Sequence, residues 1–182
     1  APYVEMIPLL QKLSSETAAI VYDKPGYGWS DITNSPRDID TIVSEIHTVL
    51  KASHYNFPII FVAHSMGSLE ALRYAQLYPE EVAGVILIDG ASPEFCSEFN
   101  NIMISESFIL NALRNTGALR LFSHTQGLEK TLNPNSSLPQ ELQTLNKDIA
   151  LEKLWNKNMI EEKMKLKANA ETILKAGSIG DI

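Results

Sequence analysis

Apolar positions in the first ninety residues follow two alternating periods. Tyr3, Met6, Ile7, Leu10 and Leu13 recur at helical spacing. The run Ala18–Tyr22 is short and continuously apolar, which reads as a buried strand, and it stops at Asp23-Lys24-Pro25-Gly26-Tyr27-Gly28-Trp29-Ser30. Pro36, just after Ser35, falls where a first helical residue is expected. Ile39, Ile42, Val43, Ile46, Val49 and Leu50 then give a helix with one buried face. Pro58 introduces a second strand, Ile59–Ala63. A helix follows from Ser65 to Leu77, halted by Pro79, and a third strand runs over Val85–Asp89. Strands alternating with helices predict an α/β fold, a parallel sheet with crossover helices and three recognisable strands.

After Asp89 the strand signal ends. Helical spacing returns over Ile102–Leu113, Leu138–Trp155 and Met159–Lys175, broken by Gly117, Gly127 and the turn-rich Asn133-Pro134-Asn135-Ser136-Ser137. In the last helix Glu161 and Glu162 interleave with Lys163, Lys165 and Lys167, which favours a solvated helix over a core rather than a membrane-surface helix. The charge changes with the pattern. Residues 1–95 carry 5 basic and 12 acidic side chains, whereas residues 96–182 carry 10 of each. Three segments are therefore expected: an acidic α/β core over 1–92, a neutral helical cap or lid over 93–176, and a linker over 177–182.

Composition narrows the function classes. With 45% hydrophobic and 20% charged residues the chain has the means to build a packed core. A net charge of −7 argues against nucleic-acid binding, which needs a basic face. The single cysteine, Cys96, can neither close an internal disulfide nor hold zinc by itself. No metal-ligand spacing is present, and no metal or cofactor is expected. No apolar run reaches the length of a membrane span and no targeting segment is read. The compartment is not fixed by the sequence: a cytoplasmic setting is slightly favoured, and an anchor on preceding polypeptide is left open.

The chemistry concentrates at Phe61-Val62-Ala63-His64-Ser65-Met66-Gly67-Ser68, at the junction of a strand and a helix. A nucleophilic serine there needs a sharp, strained turn that lifts its hydroxyl above the sheet edge. Such a turn brings backbone close, so small residues are expected two before and two after the serine, and Ala63 and Gly67 stand there. Ser65 is the candidate nucleophile. The helix beyond it aims its first amides at a developing oxyanion, with the Met66 N–H as the expected donor.

These residues resemble the α/β-hydrolase superfamily, in its serine esterase and lipase-like branch. Ala-x-Ser-x-Gly at 63–67 is similar to the family's Gly-x-Ser-x-Gly nucleophile elbow. Asp23–Ser30 is similar to the family's Asp-Arg-x-Gly-x-Gly-x-Ser segment, with Lys24 in the place of Arg. Tyr78-Pro79-Glu80-Glu81-Val82-Ala83-Gly84-Val85-Ile86-Leu87-Ile88-Asp89 is similar to its helix-to-strand return after the elbow. The resemblance implies a partial hydrolase sheet with a cap inserted after it. It also implies that this is the middle of a longer chain. Family members place a strand and oxyanion loop ahead of the helix that opens the chain at Ala1. They place the triad acid and then the histidine after strands that would follow Ile182.

The remaining candidates divide by context. His47 and His54 read as surface residues, His64 as structural with its ring turned from the Ser65 hydroxyl, and His124 as a cap residue, so no good general base is found. Asp89 ends a strand where some lipases of this fold carry their acid, and a structural role competes with that reading. Asp23 is expected to brace the Gly-rich turn through side-chain to backbone bonds. Pro25 and the spacing of Gly26 and Gly28 exclude a nucleotide loop. Tyr27 and Trp29 suit either packing or a pocket mouth, Cys96 a small core or loop position, and Glu70 and Arg73 the surface or an ion pair. The leading expectation is an ester hydrolase acting through an acyl-Ser65 intermediate on a small ester or acyl substrate. Its pocket is expected to be apolar and cap-defined, lined by such residues as Phe95, Phe99, Phe108 and Phe122. The alternative is a hydrolase-like binding module without catalysis. Open sheet edges make self-association a further expectation.

Overall fold

The computed structural model describes residues 2–99, 104–132 and 137–180. The chain divides into two compact units, Ser35–Asn101 with Glu161–Ile182, and Ala1–Asn34 with Ile102–Ile160.

The first of these holds the sheet. Helix α2 (Ile39–Ala52) precedes β1 (Ile59–His64), helix α3 (Gly67–Leu77), a 3₁₀ turn (Pro79–Glu81) and β2 (Val82–Ile88). The strands pair in parallel, with Phe61 opposite Val85 and His64 opposite Ile88. That is the hand-over a crossover helix makes between parallel neighbours. Ile42, Val43, Ile46 and Leu50 of α2 are buried, as are Leu69, Ala71, Tyr74 and Ala75 of α3. The rings of Phe61 and Tyr74 meet at 4.9 Å between centroids. On the opposite sheet face Ile60, Val62, Ile86 and Ile88 are exposed.

Two local expectations are revised here. Helix α2 begins at Ile39, not at Pro36, because Asp38 is its cap: one carboxylate oxygen accepts both the Thr41 N–H and the Thr41 hydroxyl at 3.0 Å. The backbone before it is held elsewhere. The Arg37 N–H donates to Glu161 at 3.0 Å, and the fully buried Arg37 side chain reaches Glu45 at 2.8 Å and Glu162 at 3.0 Å. Burial opposes the Arg37 charge, but the two carboxylates outweigh it and hold its pKa above the ordinary arginine value. Asn169 accepts the Ile39 N–H and donates to the Arg37 carbonyl.

The second revision concerns His47, which does more than sit on the surface. Its ring stacks on Tyr78 at 4.1 Å, and its Nε2 lies 3.4 Å from Glu81. Glu81 also accepts the Tyr74 hydroxyl and the Lys51 ammonium, both at 2.6 Å. Desolvation pushes the Glu81 pKa up, yet the bonds from Lys51, Tyr74 and His47 prevail and hold it below the usual carboxylate range. This cluster ties α2 to the turn that feeds β2.

In the other unit, a 3₁₀ turn (Tyr3–Met6) leads into α1 (Ile7–Leu13). The expected strand Ala18–Tyr22 joins no ladder, so two strands, not three, are paired among the described residues. A strand is assigned only where a ladder pairs it with another, and the ladder among the described residues joins β1 and β2 alone. The Gly-rich turn behaves as expected. Asp23 accepts the Tyr3 N–H at 2.7 Å and the Trp29 N–H at 3.1 Å. A methyl group on Gly28, whose φ is +49°, would stand 1.8 Å from that carboxylate. Asn156 and Asn158, both buried, donate to the carbonyls of Gly26 and Thr33.

The helices after β2 are α4 (Pro93–Ser97), α5 (Ile104–Asn115), α6 (Ala118–Leu121), α7 (Gln126–Leu132), α8 (Gln140–Lys153) and α9 (Lys157–Ala176). The start of the helix expected at Ile102, the turn over Asn133, Pro134, Asn135 and Ser136, and the termini Ala1 and Ile182 lie outside the described residues. No helix among those described is long and apolar enough to cross a membrane.

Candidate active site at the strand-to-helix turn

Six residues of strand end at His64 and a helix begins at Gly67, leaving only Ser65 and Met66 for the change of direction. Ser65 absorbs it with φ of +51°, the left-handed region that a residue with a Cβ enters at a cost of about 1–2 kcal/mol. Backbone bonds hold the strain. The Ser65 N–H donates to Ile88 O at 3.4 Å, and the Ser65 carbonyl accepts from Ser68 at 3.0 Å and from Ala91 at 3.2 Å. The Ser65 side chain is exposed. No partner for the Met66 N–H is found among the described residues, and it sits at the positive end of α3. An exposed serine hydroxyl beside a free amide at a helix N-terminus can attack an acyl carbon and receive the resulting oxyanion.

The steric reason for the small residues needs correction. Ala63 is buried, but a methyl group on Gly67 would meet nothing within 4 Å. The tight position is Gly90, just past β2, where a Cβ would lie 2.7 Å from the Ser68 hydroxyl and 3.1 Å from Leu87 Cβ. Ser68 is fully buried and its hydroxyl has no hydrogen-bond partner among the described residues. The elbow helix therefore presses against the end of β2 rather than against its own first turn. The sequence signal was present in Asp89-Gly90 at a strand end, but the residue that Gly90 must clear is set only by the crossover.

The other candidates fall out as follows. His54, His64 and His124 are exposed, and no histidine is hydrogen-bonded to Ser65 among the described residues. Asp89 is exposed and has φ of +46°. Arg73 pairs with Asp40 at 2.6 Å. Cys96 is buried, and burial pushes its thiol pKa up, away from nucleophile character. Trp29 is half exposed, and Lys24 lies over the Tyr27 ring at 4.6 Å. No cluster of three potential metal ligands occurs among the described residues.

Comparison with known proteins places the fold in a family. The family model for the alpha/beta hydrolase fold matches residues 1–162, and the chain belongs to that family. Across 94 residues it is 37% identical to the uncharacterized protein YbdG of Bacillus subtilis (strain 168), covering 52% of this chain and 29% of that protein. Across 80 residues it is 31% identical to the uncharacterized protein C23C11.06c of Schizosaccharomyces pombe, covering 44% of this chain and 15% of that one. The chain thus matches less than a third of either curated relative's length. Among solved structures, Cfl2 wild-type from Burkholderia cenocepacia superposes with a TM-score of 0.68 at 16% identity, over 99% of this chain and 65% of its own. A candidate lipase (lip1) from Acinetobacter baumannii AYE superposes at 0.53 with 19% identity, over 84% of this chain and 52% of its own.

Proposed function

We propose that the protein is a serine hydrolase that cleaves a small ester through an acyl-Ser65 intermediate. The observation that carries this reading is the left-handed backbone of Ser65 between β1 and α3. A non-glycine residue in that conformation is kept where the surroundings demand it, and strained nucleophile turns are one such demand. Ser65 Oγ bonds to the carbonyl carbon, its proton passes to a base, and the carbonyl electron pair moves onto the oxygen, which accepts a hydrogen bond from the Met66 N–H. By analogy with other acyl-transfer sites that donor contributes roughly 3 kcal/mol. The alcohol then leaves with the proton, and water releases the acid. The exposed Phe95 of α4, in the same unit as Ser65, favours an apolar acyl group. The lipase-like neighbour lends the same weight to an ester.

The test is labelling with a fluorophosphonate probe in the full-length protein. The wild type is expected to be labelled on Ser65, with no labelling after Ser65→Ala. A folded full-length protein that resists the probe, or a Ser65→Ala variant that still reacts, defeats the reading. Residues 1–182 alone, with no histidine bonded to Ser65, are expected to show negligible turnover of a short-chain nitrophenyl ester.

A further inference from the structure

The chain leaving β2 meets Ser65 twice. The Ser65 N–H donates to the Ile88 carbonyl at 3.4 Å, and the Ala91 N–H donates to the Ser65 carbonyl at 3.2 Å. The same carbonyl accepts the Ser68 N–H, in the first turn of α3, at 3.0 Å. Strand register accounts for the Ile88 bond and the helix for the Ser68 bond, but neither accounts for Ala91. To reach Ser65 again the chain must turn within Asp89 and Gly90. Asp89 has left-handed backbone, with φ of +46°. Gly90 passes so close to α3 that a Cβ there would overlap the buried Ser68 hydroxyl. A glycine is what permits that close approach of backbone.

The consequence falls on the next amide. The Ser65 carbonyl and the Met66 N–H belong to one peptide plane. Among the described residues only Phe57–Pro58 is cis, so this peptide is trans, and its C=O and N–H point in opposite directions. Two donors on the carbonyl therefore fix the line along which the Met66 N–H points. They also polarise it, because a carbonyl that accepts hydrogen bonds makes the amide of its own peptide a stronger donor. An oxyanion donor is effective only when it is aimed before the charge develops. The Ala91 bond supplies that aim from behind.

From this we infer that Ala91 is a positioning residue for the oxyanion donor, an inference that rests on the acyl-Ser65 function proposed above. Its N–H, carried to Ser65 by the close passage of Gly90 against Ser68, locks the Ser65–Met66 peptide with the Met66 N–H turned toward the reacting carbonyl. The Ala91 side chain takes no part. The contact is made by backbone between residues 26 positions apart, 65 and 91, and residue type alone does not reveal it. Gly90 is the side of this device that substitution can reach, since a Cβ there must push the chain away from Ser68.

The experiment is the rate of fluorophosphonate labelling of the full-length protein against probe concentration, which separates probe binding from the bond-forming step. Gly90→Ala is expected to lower the limiting rate about 10²-fold, as for a group displaced by about 1 Å, with the half-saturating concentration unchanged. Ser68→Ala in the same chain opens the space again and is expected to restore the rate to within about threefold of wild type. Asp38→Ala, which loses comparable stability at another element, is expected to label at the wild-type rate. If Gly90→Ala does not fold, Ala91→Pro, which removes the N–H and leaves residue 90 alone, is expected to show the same fall. In the wild type the Ala91 amide is expected to exchange its hydrogen at least about tenfold more slowly than an unprotected amide. The inference is overturned by a folded Gly90→Ala or Ala91→Pro that labels within about threefold of wild type, by a fall that Ser68→Ala does not reverse, by an equal fall in Asp38→Ala, or by free exchange at Ala91. Each of these leaves Ser65 standing as the nucleophile. Loss of the Ser65 reading itself shows separately, as labelling that is absent in the wild type or persists in Ser65→Ala.

Discussion

Gly67 and Gly90 look alike in the sequence and face opposite constraints in the fold. A side chain at Gly67 points into open space, while one at Gly90 would overlap the Ser68 hydroxyl. Gly67→Ala is therefore expected to change stability by less than about 0.5 kcal/mol, since alanine is also the better helix former. Gly90→Ala is expected to cost about 1–2 kcal/mol as an overpacked contact, and Ser68→Ala in the same chain to recover most of it. Urea unfolding of these three variants and of Ser68→Ala alone makes the comparison, and additive effects of the Gly90 and Ser68 changes would contradict the contact. The residue types of the elbow were legible in the sequence. The site of crowding was not, because it depends on which residue past β2 the second residue of the elbow helix meets.

At the scale of elements, side chains set the boundaries more sharply than periodicity does. The apolar spacing of α2 was readable from Ile39 onward, but its first residue is decided by Asp38 accepting from Thr41. Asp38→Ala is expected to lower stability by about 1 kcal/mol, measured by urea unfolding. The Glu81 cluster joins α2 to the entry of β2, and it gives the fold an acid limit. Because the folded Glu81 carboxyl titrates below its ordinary value, its contribution is complete above the unfolded pKa near 4.5 and is lost as pH falls through the folded one. Glu161, held low chiefly by the Arg37 N–H, acts in the same direction. Glu81→Gln is expected to reduce stability at pH 7 and to flatten its fall between about pH 5 and 3. An unchanged acid slope would count against this role. The strand expected at Ala18–Tyr22 marks the converse limit, since apolar character and length cannot create the ladder partner that a strand requires.

At the largest scale, the unit that carries the sheet is held in part by a charge that composition could not place. Arg37 is buried with Glu45 and Glu162, one carboxylate eight residues away and the other more than a hundred. Arg37→Met removes the buried cation that faces Glu45 and Glu162 and is expected to cost about 3 kcal/mol or more, whereas Arg37→Met with Glu162→Leu is expected to regain much of it. Thermal or urea unfolding of the single and double variants separates the two. The net charge of −7 said nothing about this site, because the total is blind to which charges leave water.

What the sequence determined by itself is local: the alternation that makes an α/β fold, the strand-to-helix turn that singles out Ser65, the brace that Asp23 gives its glycines, and the family to which these belong. Each follows from neighbours within about one turn or one strand, where spacing dictates geometry. The tertiary structure alone decided which strands pair, that Gly90 rather than Gly67 is crowded, that Arg37 is buried among carboxylates, and that Ser65 and Asp89 share a left-handed backbone at one sheet edge. Those are contacts between residues far apart in the chain. They exist only once packing has chosen the register of β1 against β2 and the seat of α3.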